Sequence, residues 1–260
     1  MIKSELVPLW RFRYFLSILV ARNIKLKYQQ SWLGLLWTII NPLMILAILL
    51  TVFTRVIRIQ IEDYWAFLVT GYFVYHFVSQ ATLAAASVLD EYAVMIRSVA
   101  VPRSATVLAA ITSRFLEFLL EFTLALLVVV VFHHHALPLS ILWVPLLVFL
   151  MFMLTAGLSL MISALAVFYY DVRHMLPIAL TALFYISPVV YSVNMVPEQY
   201  HAIYYLNPLA VLLDLLHATV YAGTMPPTDL FVVCVLQTSF ILWAGVRIFR
   251  HFEPQFAEVL

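Results

Sequence analysis

The sequence predicts an all-α integral membrane fold: six transmembrane helices, an N-terminal amphipathic interface helix, and two short re-entrant helices at the outer face between spans five and six. Three observations carry this. Hydrophobic residues make up 65% and charged residues 10% of the 260 residues, with a mean hydropathy of +1.03, whereas soluble domains run about 45–50% apolar and about 25% charged. Six apolar runs are long enough to be read as crossings, which take roughly 20 residues each. A further stretch, residues 194–228, is only partly apolar and carries Pro197, Pro208, Pro226 and Pro227, which suits short broken helices better than a span.

The elements follow in order. Over residues 8–29, Phe12, Phe15, Leu16, Leu19 and Leu26 form one stripe at 100° per residue, flanked by Arg11, Arg22 and Lys25. A helix of that pattern lies on a membrane surface with its basic side chains reaching the headgroups. Spans are expected at 32–54, 64–89, 104–132, 139–170, 175–193 and 230–249. Between the second and third lies DEYAVMIRSVAVPR, residues 90–103. Here Tyr92, Met95, Ile96 and Val99 recur at i, i+3, i+4, i+7, Asp90 and Arg97 fall on the reverse face, and Pro102 ends a short amphipathic helix. Within 194–228, helices are expected over 197–206 and 208–221, each opened by its proline.

Charge sets the orientation. Six Lys and Arg residues in the N-terminal segment, with Arg97, Arg103, Arg173, Arg247 and Arg250, fall on the side of the termini, against Arg55 and Arg58 on the other. This bias places both termini in the cytoplasm. The basic N-terminal segment has no compact apolar core with a small-residue cleavage site, so no removable signal peptide is expected. The single cysteine, Cys234, allows no intrachain disulfide. A net charge of +1, with basic residues at span ends, argues against a nucleic-acid partner.

Several chemistries are excluded by missing motifs. There is no HExxH, no GxSxG and no GxxxxGK[ST] among only five glycines, so the chain cannot cradle a nucleotide phosphate in a P-loop. Repeated halves of the kind seen in secondary transporters are also missing. His133, His134 and His135 form a polar triplet in a short outer loop; no ligand spacing accompanies them, and they are read as solvated loop residues, with no metal site expected.

Two sets of polar residues are candidates for a path through the bundle. In SRFLEFLLEF, Arg114, Glu117 and Glu121 fall within about 60° of one another, giving the third span a charged face that should look into the bundle or a cavity. An Arg114–Glu117 pair locking helix packing and a polar contact on a transport path are both open. Aromatic residues are dense. Most serve as interfacial anchors; Trp37, Tyr72, Tyr75, Tyr185 and Tyr191 are those expected to line a conduit, where rings pack weakly on the C–H faces of sugars and so permit sliding. Tyr72 and Tyr75, at i and i+3, are expected to share a face.

Four segments in order, LKYQQSWLGLLWTIINPL, RSVAVPR, FYYDVRHMLP and SPVVYSVNMVPEQY…LNPL, resemble the ABC-2-type permeases that export bacterial polysaccharides such as O-antigen, capsule and teichoic acid. The resemblance spans nearly the whole chain and implies a single ABC-2-type transmembrane domain over residues 1–260, working as a homodimer with two copies of a P-loop ATPase that binds ATP and Mg. This chain itself would hold no cofactor. The implied location is the bacterial inner membrane and the implied cargo a lipid-linked glycan, with periplasmic export proteins as further partners. The resemblance makes residues 90–103 the coupling helix, with Asp90, Glu91, Tyr92, Met95, Ile96, Arg97 and Arg103 docking on the ATPase. It makes residues 194–228 a periplasmic gate holding Pro197, Tyr204, Tyr205, Asn207 and Pro208. An ABC-2-type lipid or drug exporter is the alternative within transport. A membrane-bound lipid or sugar transferase is the alternative from another class.

Overall fold

The computed structural model describes residues 13–29, 32–98, 102–134 and 138–256, without the side chains of Arg97, Ser98 and His134. Residues 8–12 of the expected interface helix, residues 99–101 of the inner-loop helix and the Arg97 side chain therefore lie outside the described residues. Among the described residues there is no strand.

In chain order the helices are α1 (Arg13–Tyr28), α2 (Trp37–Thr51), α3 (Tyr64–Glu91), α4 (Ala93–Ser98), α5 (Arg103–Val129), α6 (Val144–Phe168), α7 (Asp171–Ile186), α8 (His201–Tyr204), α9 (Pro208–Leu216) and α10 (Thr228–Phe252). Single turns of tighter or wider helix extend several of them: Gly34–Leu36 and Val52–Val56 flank α2, Val130–His134 follows α5, Leu139–Trp143 precedes α6 and His217–Tyr221 follows α9. Gly34 enters α2 at φ 50 with nothing near its missing Cβ, so backbone conformation alone favours glycine there.

Four continuous helices are long and apolar enough to cross a membrane: Gly34–Val56, Arg103–His133, Leu139–Phe168 and Thr228–Gln255. Glu198–Tyr204 and Pro208–Tyr221, bent by 111° at their junction, would make a fifth if they formed one broken span. The other two expected spans fall short for different reasons. Helix α3 has 28 residues, ample in length, but His76, Ser79, Gln80, Thr82 and Ser87 dilute its apolar character. Helix α7 has 16 residues, about 24 Å at 1.5 Å per residue, against about 30 Å of hydrocarbon. It stops because Ser187, preceding Pro188, is extended at φ −98 and ψ 152, as the proline ring demands of the residue before it.

Helix α3 is the centre of the bundle, packed by α5, α6, α7 and α9. Its Ala66, Val74, Val78, Ala81 and Ala85 are fully buried. That placement explains why a helix too polar for lipid is stable: its neighbours are protein, and Thr70 and Thr82 return their hydroxyls to the Ala66 and Val78 carbonyls. Apolar burial does little to join helices already in lipid, so close packing of small residues has to do it. At the α6–α10 crossing a Cβ on Gly157 would lie 2.7 Å from the Ile241 carbonyl, and one on Gly245 would overlap the Gly157 carbonyl. Two glycines thus set how near these backbones come.

Helix α1 lies against α5, burying Leu19 and Val20 while Tyr14, Ile18 and Leu26 stay exposed. The expected stripe is therefore only partly turned inward: Phe15, Leu16 and Leu19 pack on the core, and Leu26 does not. Helix α9 differs from every other short element. All of Leu209–Leu213, Leu215 and Leu216 are at most 2% exposed, so this helix is plugged into the bundle and not laid on its surface.

Candidate functional site

The charged face of α5 opens on a cavity of about 440 Å³ between the end of α1, the start of α2, α3 and α5. Glu117 is its organising group. Its Oε2 accepts from Lys27 Nζ at 2.8 Å and from Arg114 Nη1 at 3.0 Å, and its Oε1 accepts from the Tyr28 hydroxyl at 2.8 Å. Tyr28 in turn accepts from Thr38 Oγ1 at 2.6 Å. The expected Arg114–Glu117 pair is present, but it is one part of a network that fastens α1 and α2 to α5. Burial and the neighbouring Arg114 hold the Lys27 ammonium below the usual lysine range, against the upward pull of Glu117. Glu121, one turn further along, is 5% exposed and has a different partner, His76 Nδ1 of α3 at 3.5 Å. Trp37, 45% exposed, stands on the rim, and Asn41 and Gln80 add amides to the wall. Trp37, Arg114, Glu117 and Glu121 all line this one cavity. Sequence reasoning missed Lys27 and Tyr28, whose partner lies about 90 residues away.

The four tyrosines are not gathered there. Tyr72 is 4% exposed and stacks behind His76, with ring centroids 5.7 Å apart. Tyr75 turns instead to α7, donating to the Leu180 carbonyl at 3.0 Å and meeting Phe184 edge-on at 4.9 Å. The expectation that they share a face of one conduit is corrected: on a helix surrounded on all sides, the roughly 60° between i and i+3 is enough to send two rings to different neighbours. Tyr185 is 62% exposed. Tyr191 donates to the Tyr185 carbonyl at 3.1 Å and accepts from the Tyr204 hydroxyl at 3.3 Å, which places it with the bent helix pair.

That pair is built around Asn207 and Pro208. Asn207 Oδ1 accepts from the Leu209 amide at 3.1 Å, capping α9, while its Nδ2 donates to Ser187 Oγ at 2.8 Å. Pro208 follows in the first turn, where its missing N–H costs nothing. Pro197 instead caps the turn Glu198–Tyr200, its carbonyl accepting from the Tyr200 amide at 2.9 Å. Across the bend Tyr205 donates to Asp214 Oδ2 at 2.8 Å and its carbonyl accepts from Gln237 Nε2 of α10 at 2.7 Å. Asp214 and Gln237 escaped sequence reasoning; the only signal was one carboxylate in PLAVLLDLLH and one amide in an apolar span.

The reading of His133 as a solvated loop residue is also corrected. Its Nδ1 lies 2.6 Å from Asp63 Oδ2, its Nε2 3.0 Å from the Tyr221 carbonyl, and its ring stacks on Tyr221 at 5.2 Å. The wide turn after α5 delivers the side chain to the ends of α3 and α9. Among the described residues no group of three or more His, Cys, Asp or Glu could hold a metal ion.

At the opposite end, the expected helix over 90–103 is divided. Asp90 and Glu91 belong to the last turn of α3, where Asp90 pairs with Arg173 and Glu91 accepts from Ser87 at 2.6 Å. Among the described residues, Ala93–Ser98 forms α4. Its apolar stripe faces inward: Tyr92 is 4% exposed, hydrogen-bonded to Asn23 and lying under Arg22, Ile96 is 9% exposed, and Met95 packs beside them. Asn23 and Arg22 of α1 thus hold Tyr92 within the same chain. Arg103 is likewise engaged, donating to the Glu253 carbonyl and lying 6.0 Å from the Phe256 ring. Tyr92 and Ile96 are thus buried within the chain and Arg103 is engaged by Glu253, whereas Val94 is 83% exposed.

A model of the ABC-2 type transporter family matches residues 14–221. The chain belongs to this family. It is 31% identical over 249 residues to the O-antigen export system permease protein RfbA of Klebsiella pneumoniae, covering 94% of both chains. A protein of the same name from Myxococcus xanthus is 25% identical over 252 residues, with 96% of both chains covered. The polysialic acid transport protein KpsM of Escherichia coli is 22% identical over 237 residues, covering 90% of this chain and 92% of that one.

The region matched to ABC-2 transporters takes in the cavity, α4 and the bent pair, and ends at Tyr221 where α9 and its wide turn end. As an ABC-2 chain this is a multi-pass membrane subunit of a transporter. What its geometry offers is a cavity with charged groups in a mostly apolar wall, tied through Glu117 to α1 at the edge of the bundle.

Proposed function

We propose that this chain is the permease subunit of an ATP-driven exporter that carries a lipid-linked polysaccharide, of O-antigen or capsular type, from the cytoplasm to the periplasm. The observation that carries this reading is similarity along 94% of both chains to a permease named for O-antigen export. The cavity among α1, α2, α3 and α5 supports it, because its wall carries Lys27, Arg114, Glu117 and Glu121, and charged groups within a membrane bundle mark substrate paths. Two copies form the conduit in the bacterial inner membrane, with six crossings each, α3 and α7 among them, and both termini in the cytoplasm. Residues 194–228 form the periplasmic gate, with the bent pair re-entrant from the outer face. ATP and Mg are held by two separate P-loop ATPase subunits.

Closure of the ATPases moves α4 and α1 as levers. Tyr92 bonds to Asn23 of α1, and α1 bonds through Lys27 and Tyr28 to Glu117, so displacement of the inner surface is passed to the cavity wall. The test is deletion of the gene for this chain in its own host. Cells should lose the surface glycan and accumulate its lipid-linked precursor inside, and a plasmid copy should restore export. An unchanged surface glycan in the deletion strain would overturn the reading.

A further inference from the structure

We propose that Arg173 is a positioning residue for transport: it clamps the C-terminal end of α3 to the turn between α6 and α7, so that a displacement of α4 is carried along α7 to the bent helix pair. This rests on the reading that α4 meets an ATPase and goes beyond it, because it assigns a second route that passes through neither α1 nor the cavity.

The chain breaks helix at Tyr92, which separates α3 from α4 at φ −103 and ψ 10. Just before that break, Asp90 pairs with Arg173 Nη1 from the first turn of α7. The same guanidinium donates through Nη2 to the Ala166 carbonyl in the last turn of α6 at 3.0 Å, and it lies 5.4 Å from the centroid of the Tyr170 ring. One planar fork thus holds three helix ends, with its charge beside the last carbonyls of α6, where a cation is favoured. A lysine ammonium has no such fork. One turn along from these contacts, Ala86 of α3, Ala166 of α6, and Leu176 and Leu180 of α7 form an apolar cluster separate from the main core, so the three ends pack as a unit. The far end of α7 is fastened as well. Ser187 Oγ accepts from Asn207 Nδ2 at 2.8 Å, and the Tyr185 carbonyl accepts from the Tyr191 hydroxyl, which is bonded in turn to Tyr204 of α8. A 16-residue helix held at both ends passes a displacement from one end to the other. The Asp90 and Arg173 side chains are 39% and 23% exposed, and ion pairs this accessible add little stability, so what the clamp supplies is geometry.

The test uses the complex of the full-length permease with its ATPase in nanodiscs, in a background of Cys234→Ser and Leu206→Cys. Leu206 is 73% exposed and precedes Asn207 in the bent pair, so a cysteine there reports on that pair. Its rate of reaction with a maleimide dye is measured without nucleotide and after trapping with ATP, Mg and vanadate. In the background protein, trapping should change the rate by at least about threefold. Arg173→Gln and Asp90→Asn should each abolish that change while nucleotide is still trapped. Arg173→Lys, which keeps the charge without the fork, should fall between, and the double variant should lose no more than Arg173→Gln alone, because both act through one pair. A response retained in Asp90→Asn, or no response in the background protein, overturns the inference. Asp90→Asn breaks the pair at its more exposed half, so the test stays decisive if Arg173→Gln folds poorly. A permease that purifies without any ATPase removes the coupling reading and this inference with it, whereas a complex that traps nucleotide and keeps its response in the variants removes the inference alone.

Discussion

Glu117 and Lys27 show how unequal the two halves of one ion pair can be. The Glu117 side chain is 9% exposed and holds three donors, whereas the Lys27 side chain is 39% exposed and Glu117 has other partners without it. Removing Glu117 leaves two cations facing a cavity. Glu117→Ala should lower thermal stability by an amount toward the low end of the about 3–5 kcal/mol typical for stripping one partner from a buried pair, since Lys27 can reach water. Lys27→Met should cost far less. The sign of its pH dependence follows from linkage: a lysine whose folded pKa is lowered below 10.5 is penalised in its charged form, and the penalty fades as pH rises toward 10.5. Wild type should therefore gain on Lys27→Met as pH is raised from 7 toward 10, read by scanning fluorimetry of both proteins in detergent.

Among the elements, α4 is the one whose role changed most between pattern and structure. Its periodicity was legible, but a stripe at i, i+3, i+4 does not say what covers it. Tyr92 and Ile96 are covered by this chain's own packing, which among the described residues leaves Val94 as the apolar side chain offered outward. Val94→Asp should abolish export and ATPase co-purification while leaving the permease melting temperature unchanged. Ile96→Asp should lower that temperature, because it places a charge where 9% of the residue is exposed. A Val94→Asp protein that exports normally would remove α4 from the docking surface. The cavity obeyed the same rule. Arg114, Glu117 and Glu121 could be placed on one face from spacing alone, but Lys27, Tyr28 and His76 join them through contacts far apart in sequence, which no local period encodes.

For the molecule as a whole, topology is the property most open to direct measurement. Both ends of the bent pair should be accessible from outside, so single cysteines at Glu198 and Thr224, introduced with Cys234 replaced by serine, should both react with an impermeant maleimide on intact cells. Reaction at only one of them would mean that the pair crosses as a broken span. The sequence by itself determined the solvent, the all-helical class, the order of the apolar runs and the proline-broken segment after them, because these follow from composition and from periods set by neighbouring residues. It also carried the family, through short segments kept in order. Only the tertiary structure decided that α3 is shielded by protein on most of its length, that Tyr72 and Tyr75 part company, that His133 bridges two helix ends and that Glu121 faces His76 while Glu117 holds Lys27 and Arg114. Each of these depends on which helix lies beside which, and in a bilayer that choice is made by close packing of residues such as Gly157 and Gly245 and by buried hydrogen bonds, neither of which leaves a period in the chain.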